Sequence, residues 1–141
     1  MKQLSDINWI VIEGVAKSVF PIECKMVTDI QLKNMENRIS DGLPPVVPDR
    51  IEGGVHSEFV GAMQIVGNIL QIIAIIQAYY IYKQQQKQRI DYQGFLDDLK
   101  NEAEAIHFYT KELNEEIKRT IEKEFDSIIS KIDIICKNRE E

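Results

Sequence analysis

The middle of the chain is a long apolar run, from Phe59 to Tyr82, that contains no charged residue. Its length predicts one helix long enough to span a membrane, because about 20 residues cross the hydrocarbon layer of a bilayer. Soluble core helices seldom remain uncharged over such a length. Side-chain amides interrupt the aliphatic pattern at Gln64, Asn68, Gln71 and Gln77.

Three of these amides share one face of the predicted helix, and Gln77 stands apart. Steps of three and four residues define a polar, small-residue stripe that passes through Ala74 or Ile75 and comprises Gly61, Gln64, Asn68, Gln71 and Ala78. In a bilayer, small residues allow close helix approach and amides hydrogen-bond between helices, so the stripe predicts a helix–helix contact. In water, the same stripe would be the only solvent-facing strip of a helix buried in a bundle. The sequence leaves both interpretations open.

The C-terminal flank of the run is typical of a membrane interface. Tyrosines and then basic residues follow one another there, as expected for a helix that leaves a bilayer on its cytoplasmic side. These predicted interface anchors are Tyr79, Tyr80, Tyr82, Lys83 and Lys87. The other flank, residues 45–58, has one basic residue against three acidic ones. The asymmetry predicts a single span with the C-terminal region in the cytoplasm. The amides make the free energy of inserting a lone lipid-facing helix close to zero. A helix that inserts only under some conditions is therefore a further alternative.

Beyond residue 84 the apolar positions recur at alternating steps of three and four, which predicts a long amphipathic helix that continues from the central one. Gly94 is the only helix breaker in this region. A seven-residue repeat, typical of a coiled coil, defines a seam of Tyr92, Leu99, Ile106 and Leu113, continued by Ile117. Such a stripe cannot bury itself, so it predicts packing against other chains or another part of this one.

Residues 1–44 are predicted to form a small helical unit. Ser5-Asp6 can cap a first helix that ends at Pro21. The β-branched residues of Trp9–Ile12 make a short strand the alternative there. Trp9 itself is predicted to anchor the core of this unit, because a large aromatic side chain buries a large apolar area.

A second helix of this unit is predicted to begin at Thr28-Asp29 and to end near Asp41-Gly42. The following segment, residues 45–56, is rich in proline and glycine and predicts a linker. The predicted organisation is therefore an N-terminal unit (1–44), a linker (45–56), an apolar helix (57–83) and an amphipathic region (84–141).

Composition narrows the class of partner. The chain has 44% hydrophobic and 28% charged residues, which is ordinary for a folded protein. Its formal net charge of −6 argues against nucleic acid, which requires a clustered basic face. Cys24 and Cys136 lack metal-ligand spacing and are predicted to be buried reduced thiols, with a disulfide between them as the alternative. Trp9–Ile12 is too short for a signal peptide, so any membrane contact is expected through the central run.

Candidate chemistry is sparse. Glu104 and His107 have the Glu-x-x-His spacing of di-iron bundles, but such bundles need two of these motifs and the other histidine, His56, lies in the predicted linker. Asp97-Asp98 is expected to be a solvated pair near a helix start. No nucleophile motif or phosphate-binding loop is present in the sequence. The prediction is a protein without enzymatic activity, metal or cofactor.

These observations predict an all-α, single-pass membrane protein that associates with itself or another helical protein, as a scaffold, sensor or pore-type assembly in a lipid bilayer. The alternative is a soluble helical bundle of the adaptor, immunity or chaperone-like kind, with residues 59–82 as its buried core helix.

Overall fold

Helices make up all the regular structure in the part of the chain that is described. The computed structural model describes residues 7–46, 57–102, 113 and 115–140, with side chains throughout these ranges except at 57–60 and 136–140. The prediction of an all-α protein is confirmed. The helices within these ranges are α1 (Trp9–Val19), α2 (Pro21–Cys24), α3 (Asp29–Ser40), α4 (Ser57–Gln86), α5 (Tyr92–Leu99) and α6 (Glu115–Glu140).

Local capping explains where α1 begins. The side chain of Asn8 accepts hydrogen bonds from two backbone N–H groups of the first turn, so Asn8 is the N-cap. The cap predicted at Ser5-Asp6 lies outside the described residues. Trp9–Ile12 is helical, and the strand alternative is therefore wrong. Pro21 begins α2, where the missing N–H of proline has no intrahelical partner to lose.

Both predicted ends of α3 are confirmed. Thr28 and Gln31 form a capping box, in which each side chain accepts a hydrogen bond from the backbone N–H of the other residue. Gly42 has a φ of 76°, and the N–H of Leu43 donates to the carbonyl of Arg38 at 2.8 Å. This Schellman motif satisfies carbonyl groups that the last turn leaves free.

The same motif ends α4 at Gln86, and the predicted continuation of the central helix into the amphipathic helix is therefore wrong. Lys87 takes the left-handed position with a φ of 54°. Its N–H donates to the carbonyl of Gln84 at 3.1 Å, and the N–H of Gln88 donates to that of Lys83 at 3.0 Å. These are the two hydrogen bonds of a Schellman motif, here formed without glycine. The chain then turns into α5.

Gly94 lies inside α5 and does not break it. Asp91 is the N-cap of α5, and its carboxylate accepts a hydrogen bond from the N–H of Gly94 at 2.6 Å. A Cβ at this position would lie 2.8 Å from the same carboxylate and 3.1 Å from the hydroxyl of Tyr79. A larger residue at position 94 would therefore have to displace the capping carboxylate of Asp91.

The predicted coiled-coil seam does not run along one helix. Tyr92 and Leu99 lie on α5, which ends at Leu99, whereas Ile117 lies on α6. Leu113 is buried, and Ile106 lies outside the described residues.

The core is built around α4, which contacts α1, α2, α3 and α6. One cluster of buried residues includes side chains from all six helices, α1 to α6. The helices α1–α3 therefore share a core with the C-terminal helices. The apolar stripe of α6 is buried in this cluster. It packs against other helices of the same chain, namely α1, α4 and α5. The buried stripe residues of α6 are Ile117, Ile121, Phe125, Ile128 and Ile132.

Candidate interaction face of α4

The stripe predicted from the sequence is the least covered side of α4. We call its residues the amide face: Gly61, Gln64, Asn68, Gln71 and Ala78. Gln64 is exposed and the other four are half-buried, whereas neighbours such as Ile69 and Ile73 are completely buried. The face narrows between Gln71 and Ala78, because Ala74 is completely buried and Ile75 is 8% exposed.

Two glycines in the first half of α4 have different surroundings. A Cβ added at Gly61, on the amide face, would meet no atom within 4 Å. A Cβ added at Gly67 would lie 2.9 Å from the side chain of Pro45 and 3.3 Å from the sulfur of Met35. Gly67 therefore allows α3 and the segment after it to approach α4 closely. Sequence reasoning missed this contact, and its only signal was a glycine within an aliphatic run.

Gln77, the amide that stands apart, has a structural role. It is 1% exposed, and its side-chain oxygen accepts a hydrogen bond from the backbone N–H of Asn8 at 2.7 Å. A buried amide without a partner costs about 1–3 kcal/mol. The contact therefore satisfies the side-chain oxygen of Gln77 and fixes the start of α1 against α4.

The tyrosines predicted as membrane-interface anchors differ in their environment. Tyr79 is completely buried and packs edge-on against Phe95 of α5, with ring centroids 5.2 Å apart. The Tyr80 hydroxyl donates a hydrogen bond to the carboxylate of Asp133 on α6. Tyr82 is 40% exposed. Two of the three tyrosines thus join α4 to the helices that follow it.

The predicted basic anchors lie at the end of α4. The ammonium group of Lys83 lies 3.2 Å from the carboxylate of Asp98 and donates a hydrogen bond to Gln88 at 3.0 Å. Lys87 is exposed. Lys83 therefore links the end of α4 to α5. Of Asp97 and Asp98, which were predicted to be a solvated pair, only Asp97 is exposed.

Reactive groups are few within the described ranges. No group of three or more His, Cys, Asp or Glu side chains in them is arranged to hold a metal ion. Cys24 is a buried free thiol, as predicted, and burial followed by the charge of Glu23 raises its pKa to about 11. It stays protonated at neutral pH and is a poor nucleophile. The side chain of Cys136 and the residues Glu104, His107 and His56 lie outside the described part.

The amide face offers hydrogen-bond donors and acceptors without an ionisable group. Side-chain amides both donate and accept, so the face is chemically equipped to contact another uncharged polar surface. No protein family, curated protein or solved structure matches the chain.

Proposed function

We propose that this chain is a soluble, non-enzymatic helical interaction module that pairs with a second copy of itself through the amide face. The observation that best supports this proposal is the uneven covering of α4. Its aliphatic sides are buried against α1, α2, α3 and α6, whereas the amide face, with Gln64 exposed, is the side least covered. A core helix that presents polar residues on one strip fits a bundle in water.

The uncharged surface of α4 is where a second copy could bind with the least electrostatic repulsion. Two chains with a formal net charge of −6 repel each other, so they associate most easily where neither presents a charge. Residues 59–82 contain no charged side chain. Because amides both donate and accept, two identical faces related by a two-fold axis complement each other.

The ends of the face allow close approach. Gly61 and Ala78 lie 17 positions apart, which corresponds to about 26 Å along the helix axis. Small residues at both ends permit two helices to approach closely. Met63 and Ile65 are half-buried beside Gln64 and add apolar area to the contact.

A second candidate is the single-pass membrane protein, because one helix in the described part is long and apolar enough to span a bilayer. This stretch, Gly61–Gln86, has 26 residues and a mean hydropathy of 1.6 over its most apolar window, 56% of which is buried. In a bilayer the amide face would pair with a copy of itself in the same way. The cost would be loss of the contacts that now cover the aliphatic sides, including the hydrogen bond between Gln77 and Asn8.

Alkaline carbonate extraction separates these two candidates. We expect the protein to be released into the supernatant after cell lysis and carbonate treatment, because the aliphatic sides of α4 are covered within the chain. A known single-span protein in the same lysate is the control for retention. Recovery in the carbonate-resistant pellet would replace the soluble module with the membrane protein.

Charges placed on the amide face test self-pairing. We expect Gln64→Glu combined with Gln71→Glu to raise the dimer dissociation constant about 100-fold, because facing like charges cost several kcal/mol and about 1.4 kcal/mol changes affinity tenfold. Sedimentation equilibrium measures the constant. Gln84→Glu combined with Gln85→Glu is the matched control, since both positions are exposed on the last turn of α4. The control pair is expected to leave the constant unchanged.

A photo-reactive residue at position 64 distinguishes the ways in which this proposal can fail. The expected product from the purified chain is a covalent dimer, with no dimer when the photo-reactive residue replaces Ile134, an exposed position on α6. A monomer that cross-links from position 64 to a different helical protein in cells would retain the interaction module and reject self-pairing. Equal cross-linking from both positions would reject the amide face as a binding surface.

A further inference from the structure

Two side-chain contacts join α1 and α3, which run antiparallel. The indole N–H of Trp9 donates a hydrogen bond to the hydroxyl of Ser40 at 3.0 Å. One turn further along α1 and two turns back along α3, the ammonium group of Lys33 lies 3.6 Å from a carboxylate oxygen of Glu13. The same group lies 3.7 Å from a carboxylate oxygen of Glu36. The step from Trp9 to Glu13 is four residues forward and the step from Ser40 to Lys33 is seven residues back, so both contacts lie along one shared seam of two antiparallel helices.

Glu36 is buried in this seam. It is 2% exposed, and its Oε2 atom is buried without a hydrogen-bond partner. It lies on the same side of α3 as Leu32, Met35 and Ile39, which belong to the core. An ionised carboxylate is costly in such a place unless it is paired and hydrogen-bonded.

The charged groups around Glu36 do not offset this cost. From α1 it faces Glu13, which itself lies 4.0 Å from Lys17. From α3 it faces Lys33, whose side chain is 62% exposed, so water weakens that attraction. Positions 61–82 of α4, the other helix packed on α3, carry no Asp, Glu, Lys, Arg or His. Burial, and then the charge of Glu13, raise the pKa of Glu36 to about 7, against the lowering effect of Lys33.

A proton resolves the unsatisfied oxygen. A protonated Glu36 carboxyl becomes a donor, and the Glu13 carboxylate, which shares the ammonium group of Lys33 with it, is an acceptor on the facing helix. Loss of that proton leaves two carboxylates facing each other, with the exposed Lys33 as their shared counter-charge.

We infer that Glu13 and Glu36 form a proton-dependent contact between α1 and α3, which is closed while Glu36 carries a proton and opens when Glu36 ionises. Opening would loosen the cover that α3 places on α4, where the sulfur of Met35 reaches Gly67. The contact is a regulatory device built into the bundle and is independent of pairing through the amide face.

Trp9 is the only tryptophan of the chain and lies at this contact, so its fluorescence reports on the seam. Between about pH 5 and about pH 9, we expect the Trp9 emission maximum to shift with a midpoint near the Glu36 pKa of about 7. The far-UV circular dichroism is expected to stay constant, because the helices themselves remain formed. Glu36→Gln is expected to abolish the shift and to keep the acidic-side emission at every pH, since a neutral amide also donates to Glu13.

A second variant separates the contact from other titrations. Glu13→Gln is expected to move the midpoint to lower pH, because it removes the neighbouring charge that helps to raise the pKa of Glu36. Histidine is the residue type that ordinarily changes charge in this range, and both histidines are retained in the two variants. A shift that persists unchanged in Glu36→Gln would assign it to another group and overturn the inference, as would constant emission of the unmodified chain.

Discussion

Replacing Phe125 with alanine is expected to lower the free energy of unfolding by about 3–5 kcal/mol. The side chain is 1% exposed, and its removal leaves a cavity that its rigid neighbours cannot fill completely.

The size of the effect follows from the neighbours of Phe125. Its ring centroid lies 5.4 Å from that of Phe95, 5.4 Å from that of Tyr92 and 6.5 Å from that of Tyr79. These rings come from α5 and α4, so one side chain of α6 joins three helices. Aromatic pairs at such distances contribute about 0.5–1.5 kcal/mol beyond the area that they bury.

Urea unfolding followed by circular dichroism measures this loss. Ile134→Ala on the same helix is the control, because Ile134 is 54% exposed and exposed positions change stability by about 0.5 kcal/mol or less. A loss for Phe125→Ala no larger than that of the control would mean that α6 does not cover α4. The soluble-module proposal would then lose its main support.

The two Schellman motifs show which helix ends a sequence can reveal. At the end of α3, Gly42 takes the left-handed conformation, and glycine is the usual signal for that position. At the end of α4, Lys87 takes it, although a non-glycine residue there costs about 1–2 kcal/mol. The polar residues around Lys87 are good helix formers, so local preference favoured continuation. Contacts beyond the helix, such as that of Lys83 with Asp98, are invisible to periodicity.

Periodicity placed three of the amides on one side of α4 but did not reveal their surroundings. Gln64, Asn68 and Gln71 share the least covered side of α4, and Gln77, which the spacing sets apart from them, is buried. The spacing of residues shows which side chains lie on the same side of a helix. It does not show whether lipid, water or protein contacts that side. The same stripe is therefore compatible with a bilayer and with a bundle.

The tyrosines near the end of α4 illustrate the same limit. A tyrosine needs an apolar environment for its ring and a polar partner for its hydroxyl, and a membrane interface provides both. The end of a helical bundle provides both as well. Tyr80 finds its partner in Asp133, which is 53 positions away in the sequence. Only the tertiary structure reveals such a partner.

Glu36 was missed by sequence reasoning although a signal existed. It follows Leu32 by four residues and precedes Ile39 by three, so it falls on the buried face of α3. A charged residue on an apolar face is the kind of local conflict that often marks a functional or strained position. Its partner Glu13, on a different helix, could not be identified from spacing.

Raising the pH from about 5 to about 8 is expected to lower the free energy of unfolding by up to about 3 kcal/mol through Glu36 alone. The pKa of Glu36 is raised from 4.5 to about 7 in the folded state, first by burial and then by Glu13. Each pH unit of this difference corresponds to about 1.4 kcal/mol. Between these two values the folded chain binds more protons than the unfolded chain, so stability falls as the pH rises. The contribution is complete below the unfolded value and is lost above about pH 7.

The difference between the unmodified chain and Glu36→Gln isolates this contribution from those of the other carboxyl groups. Urea unfolding at a series of pH values should show a steeper decline for the unmodified chain, with the two profiles parallel above about pH 8. Glu122→Gln, at an exposed position of α6, removes the same formal charge and should retain the steeper decline. Parallel profiles for the unmodified chain and Glu36→Gln over the whole range would mean that Glu36 binds its proton equally in both states. A proton-dependent contact between α1 and α3 requires the opposite, because only a proton held more tightly in the closed state can favour closure.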